Sequence, residues 1–208
     1  MGKKSYLRVH IMAVIDLTWK TEKLQDFFPL LHRGVWLKAK LGLSIRSVLC
    51  DQLGVAHEYL DKRIGTIFLD GSPVDDVDSA IVHEGARLAL SAAMPGLVGA
   101  TMRKGGILAS MRDSITHRGG DAGIVPKEGV FLLRLFNMVA PELGPALLKS
   151  GVQLEAEALR GFFESASDEL WTGCQECLVD GKEADCTELK DIPRSPDAGL
   201  ILFRVESC

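Results

Sequence analysis

The chain has 208 residues, of which 47% are apolar and 25% charged, and its net charge is -4. That balance excludes extensive disorder and leaves no overall basic footprint for nucleic acid. No run approaches the roughly 18 uninterrupted apolar residues of a membrane span, so a cytoplasmic protein with no membrane or nucleic-acid partner is expected.

Two lysines precede the first apolar stretch, but Arg8, His10 and Asp16 interrupt it and no small-residue cleavage site follows. The stretch YLRVHIMAVIDL (6 to 17) therefore reads as a strand and not a signal peptide. KTEKLQDFFPLLHRG holds one helical turn stopped near Pro29. GVWLKAKLGL (34 to 43) alternates, with Val35, Leu37, Ala39 and Leu41 on one face of a second strand. In SIRSVLCDQLG, Ser44 caps a helix that carries Ile45, Val48, Leu49 and Leu53 at helical spacing and ends at Gly54. Cys50 sits within it as a packing residue.

VAHEYLDKR adds a helical turn, and GTIFLDG is a strand entering a turn at Asp70 and Gly71. A polar connection follows, with a further turn at Glu84 and Gly85, and ARLALSAAM is the next strand. SAAMPGLVGA is apolar, yet Pro95, Gly96 and Gly99 break it too often for a long helix. Residues 105-129 contain six glycines and form the best boundary. Beyond it come the strand GVFLLRLFNMV, a short helix in PELGPALLKSG with Pro141 in its first turn and Gly151 as its stop, a segment of mixed periodicity, and a final strand in GLILFRVES. No internal repeat stands out. The expected class is α+β, divided into 1-104, a glycine-rich linker at 105-129 and a smaller α+β region at 130-208.

Charge is uneven: nine Lys or Arg stand against three Asp or Glu up to Arg46, and ten acids against three bases from Glu164 to Asp197. Two differently charged solvated faces account for this. Four of the five cysteines, Cys174, Cys177, Cys186 and Cys208, crowd the last 35 residues. An odd count without a secretory signal argues against a disulfide framework. The CQEC pair has ligand spacing, and four thiols suffice for zinc or an iron-sulfur cluster, the candidate cofactors. The second pair lacks that spacing, and Glu176, Asp180 and Glu183 oppose a redox dithiol, so unligated thiols with a frayed Cys208 are the leading expectation.

Arg103, Lys104, Gly105 and Gly106, with Arg112, His117 and Arg118 nearby, form a candidate anion-binding segment, although the phosphate-loop spacing is absent. Asp75, Asp76 and Asp78 read as turn and cap residues, and the five scattered histidines supply no catalytic spacing. Nothing assembles a catalytic constellation, which favours a non-enzymatic protein.

The strand VWLKAKL leading to the helix SIRSVLCDQLG, then TIFLDGSPVDD, then IVHEGARLALSAAMPG, resembles the β-grasp, or ubiquitin-like, fold, in particular the sulfur carriers of molybdopterin and thiamine biosynthesis. Asp70 and Gly71 stand at the first turn of that pattern and Glu84 and Gly85 at the second, with Ala86 where an acid is usual. The resemblance covers about 100 residues and implies an interaction module whose partner is a protein. It also puts Gly105 and Gly106 at the carriers' tail, where activity would require cleavage after Gly106. The leading expectation is instead that SAAMPGLVGA packs as a buried crossover.

Overall fold

The computed structural model describes residues 11–93, 96–107, 115–117, 125–191 and 199–208, and the protein is α+β. In chain order the strands are β1 (Ile11–Trp19), β2 (Val35–Leu41), β3 (Leu43–Ser44), β4 (Thr66–Leu69), β5 (Ser72–Pro73), β6 (Ile81–Val82), β7 (Arg87–Ser91), β8 (Lys127–Phe136), β9 (Val152–Glu155), β10 (Cys174–Val179), β11 (Lys182–Glu183) and β12 (Leu200–Ser207). The α-helices are α1 (Phe28–Arg33), α2 (Gly96–Met102), α3 (Val139–Ser150), α4 (Ala156–Ser165) and α5 (Asp168–Trp171).

The chain divides into two compact units that interleave in sequence, one made of Met1–Leu30 with Gly144–Cys208 and the other of Leu31–Leu143. The contact division thus falls at 30/31 and 143/144, whereas sequence composition puts its boundary in 105-129. The reason is strand pairing. β8 inserts between β2 and β7, antiparallel to the first and parallel to the second, while β1 lies between β10 and β12. A parallel pair cannot be closed by a tight turn, so β7 and β8 are not the two arms of a hairpin and belong to one unit across a long connection.

In the Leu31–Leu143 unit the sheet order is β5-β4-β7-β8-β2. One face carries Ile67, Leu69, Leu88, Leu90, Phe131, Leu133 and Leu135, all buried, as the period of two along each strand dictates. The same core holds Val48, Leu49 and Leu60 from two wide helical turns, Ser47–Gln52 and Tyr59–Arg63, and Ile45 just ahead of the first. The Ser44 hydroxyl accepts from the Ser47 N–H at 3.2 Å, as its capping role requires. Glycine 54, at a φ of 70°, ends the first turn.

The other unit has the order β11-β10-β1-β12-β9, with the same sequence of antiparallel, parallel and antiparallel pairings from β10 to β9 as from β4 to β2. Its core is aromatic: Phe27 meets Trp19 edge-on at 4.9 Å and lies 5.6 Å from Phe203, all three fully buried.

The correspondence extends to single atoms. β4 and β5 are joined by Asp70 and Gly71, with φ of 52° and 85°, and β10 and β11 by Asp180 and Gly181, with φ of 52° and 74°. Positive φ at both positions defines the tight hairpin turn that Asp-Gly favours. Each aspartate then locks the neighbouring strand: Asp70 accepts from the Arg87 N–H at 2.8 Å, and Asp180 from the Val14 N–H at 2.8 Å. Gly34 and Gly151, with φ of 115° and 99°, precede β2 and β9 alike. The chain therefore contains a structural duplication, in which the place held by β7 in one unit is held in the other by the N-terminal strand β1.

Candidate functional site

Three places collect chemistry. The first is the turn after α2, which contains Arg103, Lys104, Gly105 and Gly106 and lines a cleft of about 550 Å³. Its polar groups are already committed. The Lys104 N–H donates to the Gly65 carbonyl at 2.7 Å, its ammonium donates to the Leu60 carbonyl at 2.8 Å, and the Gly105 N–H donates to the Asp75 carboxylate at 3.0 Å. Burial pushes the Lys104 pKa down. An anion here would have to displace Asp75 and compete with a backbone carbonyl for the lysine. The glycine pair is also tied to the body of its unit and does not project as a tail. Arg112 and Arg118 lie outside the described residues; His117 donates its backbone N–H to the Pro73 carbonyl at 2.8 Å.

The second place is the cysteine segment. β10 pairs with β1 through Leu17↔Cys177 and Thr18↔Glu176, after which Trp19 pairs with Cys174, leaving Gln175 as the extra residue of a bulge. Paired residues share a sheet face, so Cys177 lies with Leu17 and Cys174 with Trp19. Without the bulge, a spacing of three would have sent the two thiols to opposite faces. Cys186, which opens the 3₁₀ turn Cys186–Asp191, joins them at a polar hollow also lined by Trp171, Glu183 and Asp185.

Burial, followed by a hydrogen bond with Cys186, pushes Cys174 up to about 12, and burial with the nearby Cys186 pushes Cys177 up to about 11. Both are therefore protonated at neutral pH and are poor nucleophiles. Cys208 does not join them. β10 and β12 flank β1 on opposite sides, which separates their backbones by two strand spacings, about 9–10 Å, where shared zinc would bring sulfurs to about 4 Å. Nor is Cys208 frayed, as its terminal position led us to expect: its N–H donates to the Trp19 carbonyl at 3.0 Å, and its own carbonyl accepts from the Thr21 hydroxyl at 2.9 Å. The parallel pairing of β12 with β1 runs to Trp19↔Ser207, and the Cys208 N–H bond to Trp19 carries it one residue further. Among the described residues, no group of three or more His, Cys, Asp or Glu is placed to hold a metal ion.

No known protein family, curated protein or solved structure matches this chain. The assignment therefore rests on geometry. Among the described residues no helix is long and apolar enough to cross a membrane.

The third place went unnoticed in the sequence. It is the solvent face of the Leu31–Leu143 sheet, opposite the packed core. The registers Phe68↔Ala89 and Ala89↔Arg134 make one row across β4, β7 and β8, and Arg87↔Leu132 with Leu132↔Trp36 make the next across β7, β8 and β2. Lys38 and Lys40 continue the face along β2. Leu132 is 9% exposed, Phe68 and Ala89 are half-buried, and Arg87, Arg134, Lys38 and Lys40 are exposed. The Phe68 end opens into a hollow of about 570 Å³ lined by Phe68, Asp70, Arg87, Ala89 and Arg134. At its rim Asp70 is held by the Arg87 N–H and by His83 at 2.8 Å. Alternation in RLALS and LLRLF separates inward from outward residues within each strand. Only the cross-strand register brings the outward ones together.

Proposed function

We propose that this protein is a non-enzymatic interaction module that takes up a protein partner on the solvent face of the Leu31–Leu143 sheet. The observation that carries this reading is the pair of rows Phe68, Ala89, Arg134 and Trp36, Leu132, Arg87: an apolar strip bordered by exposed cations on one sheet face. Docking surfaces characteristically combine an apolar centre with a polar rim and favour aromatic and arginine side chains. The reading is favoured over the other two places because the turn at 103–106 spends its donors internally and β1 stands between Cys208 and the other three clustered thiols.

A β-grasp-like character of this unit is part of the proposal. It is supported by the order of helical turns, β4, the Asp70–Gly71 turn, the Glu84–Gly85 turn and β7 within a single unit, as the resemblance requires.

A photo-crosslinking residue introduced at Ala89 in the source cells is expected to give discrete protein adducts, while the same residue at Lys62, on the helical side, gives none. Equal labelling from the two positions, or none from Ala89, would defeat the reading.

A further inference from the structure

We infer that the partner presents an acidic segment to this face, seating a carboxylate between Arg87 and Arg134 and laying an apolar side chain over Phe68 and Ala89. This rests on the sheet face being the docking surface and adds the chemistry of what docks there. The argument is one of unmatched charge. Elsewhere in the unit Arg46 is answered by Asp61 and Asp78, Arg63 by Glu142 and Lys62 by Glu58, whereas Lys104 turns to a backbone carbonyl and Arg33 and Lys127 form no ion pair with a described residue. On the sheet face Lys38, Lys40, Arg87 and Arg134 form no ion pair with any described residue. Four exposed cations therefore gather around an apolar strip. The acids beside them are Glu128, opposite Lys40 in register, and Asp70, whose oxygens are occupied by the Arg87 N–H and His83.

Arg87 and Arg134 both line this hollow, and a pair of arginines suits a planar carboxylate, which guanidinium groups can grip with paired N–H donors. The floor beneath is Phe68 and Ala89, which favours an apolar neighbour next to that carboxylate. A nucleic-acid strand fits less well. Its phosphates would run on past Asp70 and Glu128, and successive bases need a series of stacking platforms, whereas the centre of this face is Ala89 and Leu132.

The test uses the full chain and fluorescence anisotropy with three probes: a labelled twelve-residue peptide repeating Asp-Glu-Leu, its Asn-Gln-Leu counterpart, and a labelled twelve-nucleotide oligothymidylate. The acidic peptide is expected to bind, to weaken about tenfold or more in the double variant R87Q/R134Q, and to weaken as salt rises from about 50 to about 300 mM. The amide peptide should bind at least about tenfold more weakly, and K62Q should leave binding unchanged. Both arginines are exposed, so the double variant should keep its far-UV spectrum, which is measured alongside. Failure of the acidic peptide to bind, indifference to R87Q/R134Q, or tighter binding of oligothymidylate overturns the inference. If adducts form at Ala89 while the acidic peptide does not bind, the docking face survives and the acidic partner falls; if no adducts form at Ala89, both fall.

Discussion

A chain ending at Ile107 is expected to remain unfolded. Such a fragment contains everything that the sequence divides off as a first domain, yet it lacks β8, the strand between β2 and β7. Removing β8 leaves one side of each neighbour without its backbone partners and takes Phe131, Leu133 and Leu135 out of the core. At about 1.5–3 kcal/mol per fully buried side chain, those three alone contribute about 5–9 kcal/mol, comparable to the whole stability of an ordinary domain. The fragment would also carry β1 without β10 and β12. Far-UV circular dichroism and a denaturant titration should show no cooperative transition for 1–107. The full chain, cut at a protease site engineered between 108 and 124, should instead elute as one particle until denaturant is added, because each piece supplies a strand to the other's sheet. Cooperative unfolding of the isolated fragment would contradict the interleaved topology.

The second large effect is expected at Glu142, near the start of α3. Its carboxylate accepts from the Tyr59 hydroxyl at 2.6 Å and from the Arg63 Nε at 3.0 Å, with a second, shorter contact to the Arg63 guanidinium. The Arg63 hydrogen bonds, and then that from Tyr59, lower its pKa from 4.5 to about 2. Burial and the same hydrogen bond push Tyr59 up, so the hydroxyl stays a donor. A depressed carboxylate stabilises the fold fully above its unfolded value and loses that contribution as pH falls toward its folded value. The window here is therefore about pH 4.5 down to about 2. Arg63 is 47% exposed and Glu142 28%, so solvent screening reduces the contribution to about 1–2 kcal/mol. Glu142→Gln should cost that much at pH 7, measured by urea titration, and the gap from the parent should close as pH approaches 2. A gap that stayed constant across this range would show that the ion pair does not stabilise the fold.

Much of the fold was legible in local pattern. Val35, Leu37, Ala39 and Leu41 share the buried face of β2, and the Asp70–Gly71 turn joins β4 to β5. Pairing between distant strands was not legible. β1 and β12 lie side by side although almost the whole chain separates them, and neither carries a local sign of its neighbour. The duplication left a faint signal in the recurrence of Gly-Val at 34–35 and 151–152 and of Asp-Gly at 70–71 and 180–181. Intervening segments of different length and composition hid it.

The candidate sites divide in the same way. The clustering of Cys174, Cys177 and Cys186 was visible as spacing, but their shared face depends on the bulge at Gln175, which arises from pairing with β1. Cys208 looked available as a fourth ligand because sequence reveals nearness along the chain and not which strand intervenes. For Lys104, the sequence shows a cation among glycines but not that its ammonium is consumed by the Leu60 carbonyl, a contact made across 44 residues.

Hydroxyl-radical footprinting, read residue by residue with and without the acidic peptide, compares all three places in a single experiment, since each contains readily oxidised side chains. Protection of Trp36, Phe68 and Leu132, with Met102 and Ile107 beside the glycine turn and Trp171, Cys174 and Cys186 at the thiol hollow unchanged, is the expected result. Protection confined to the hollow or to the turn, with Phe68 oxidised at its free rate, would contradict the assignment of the sheet face as the binding surface.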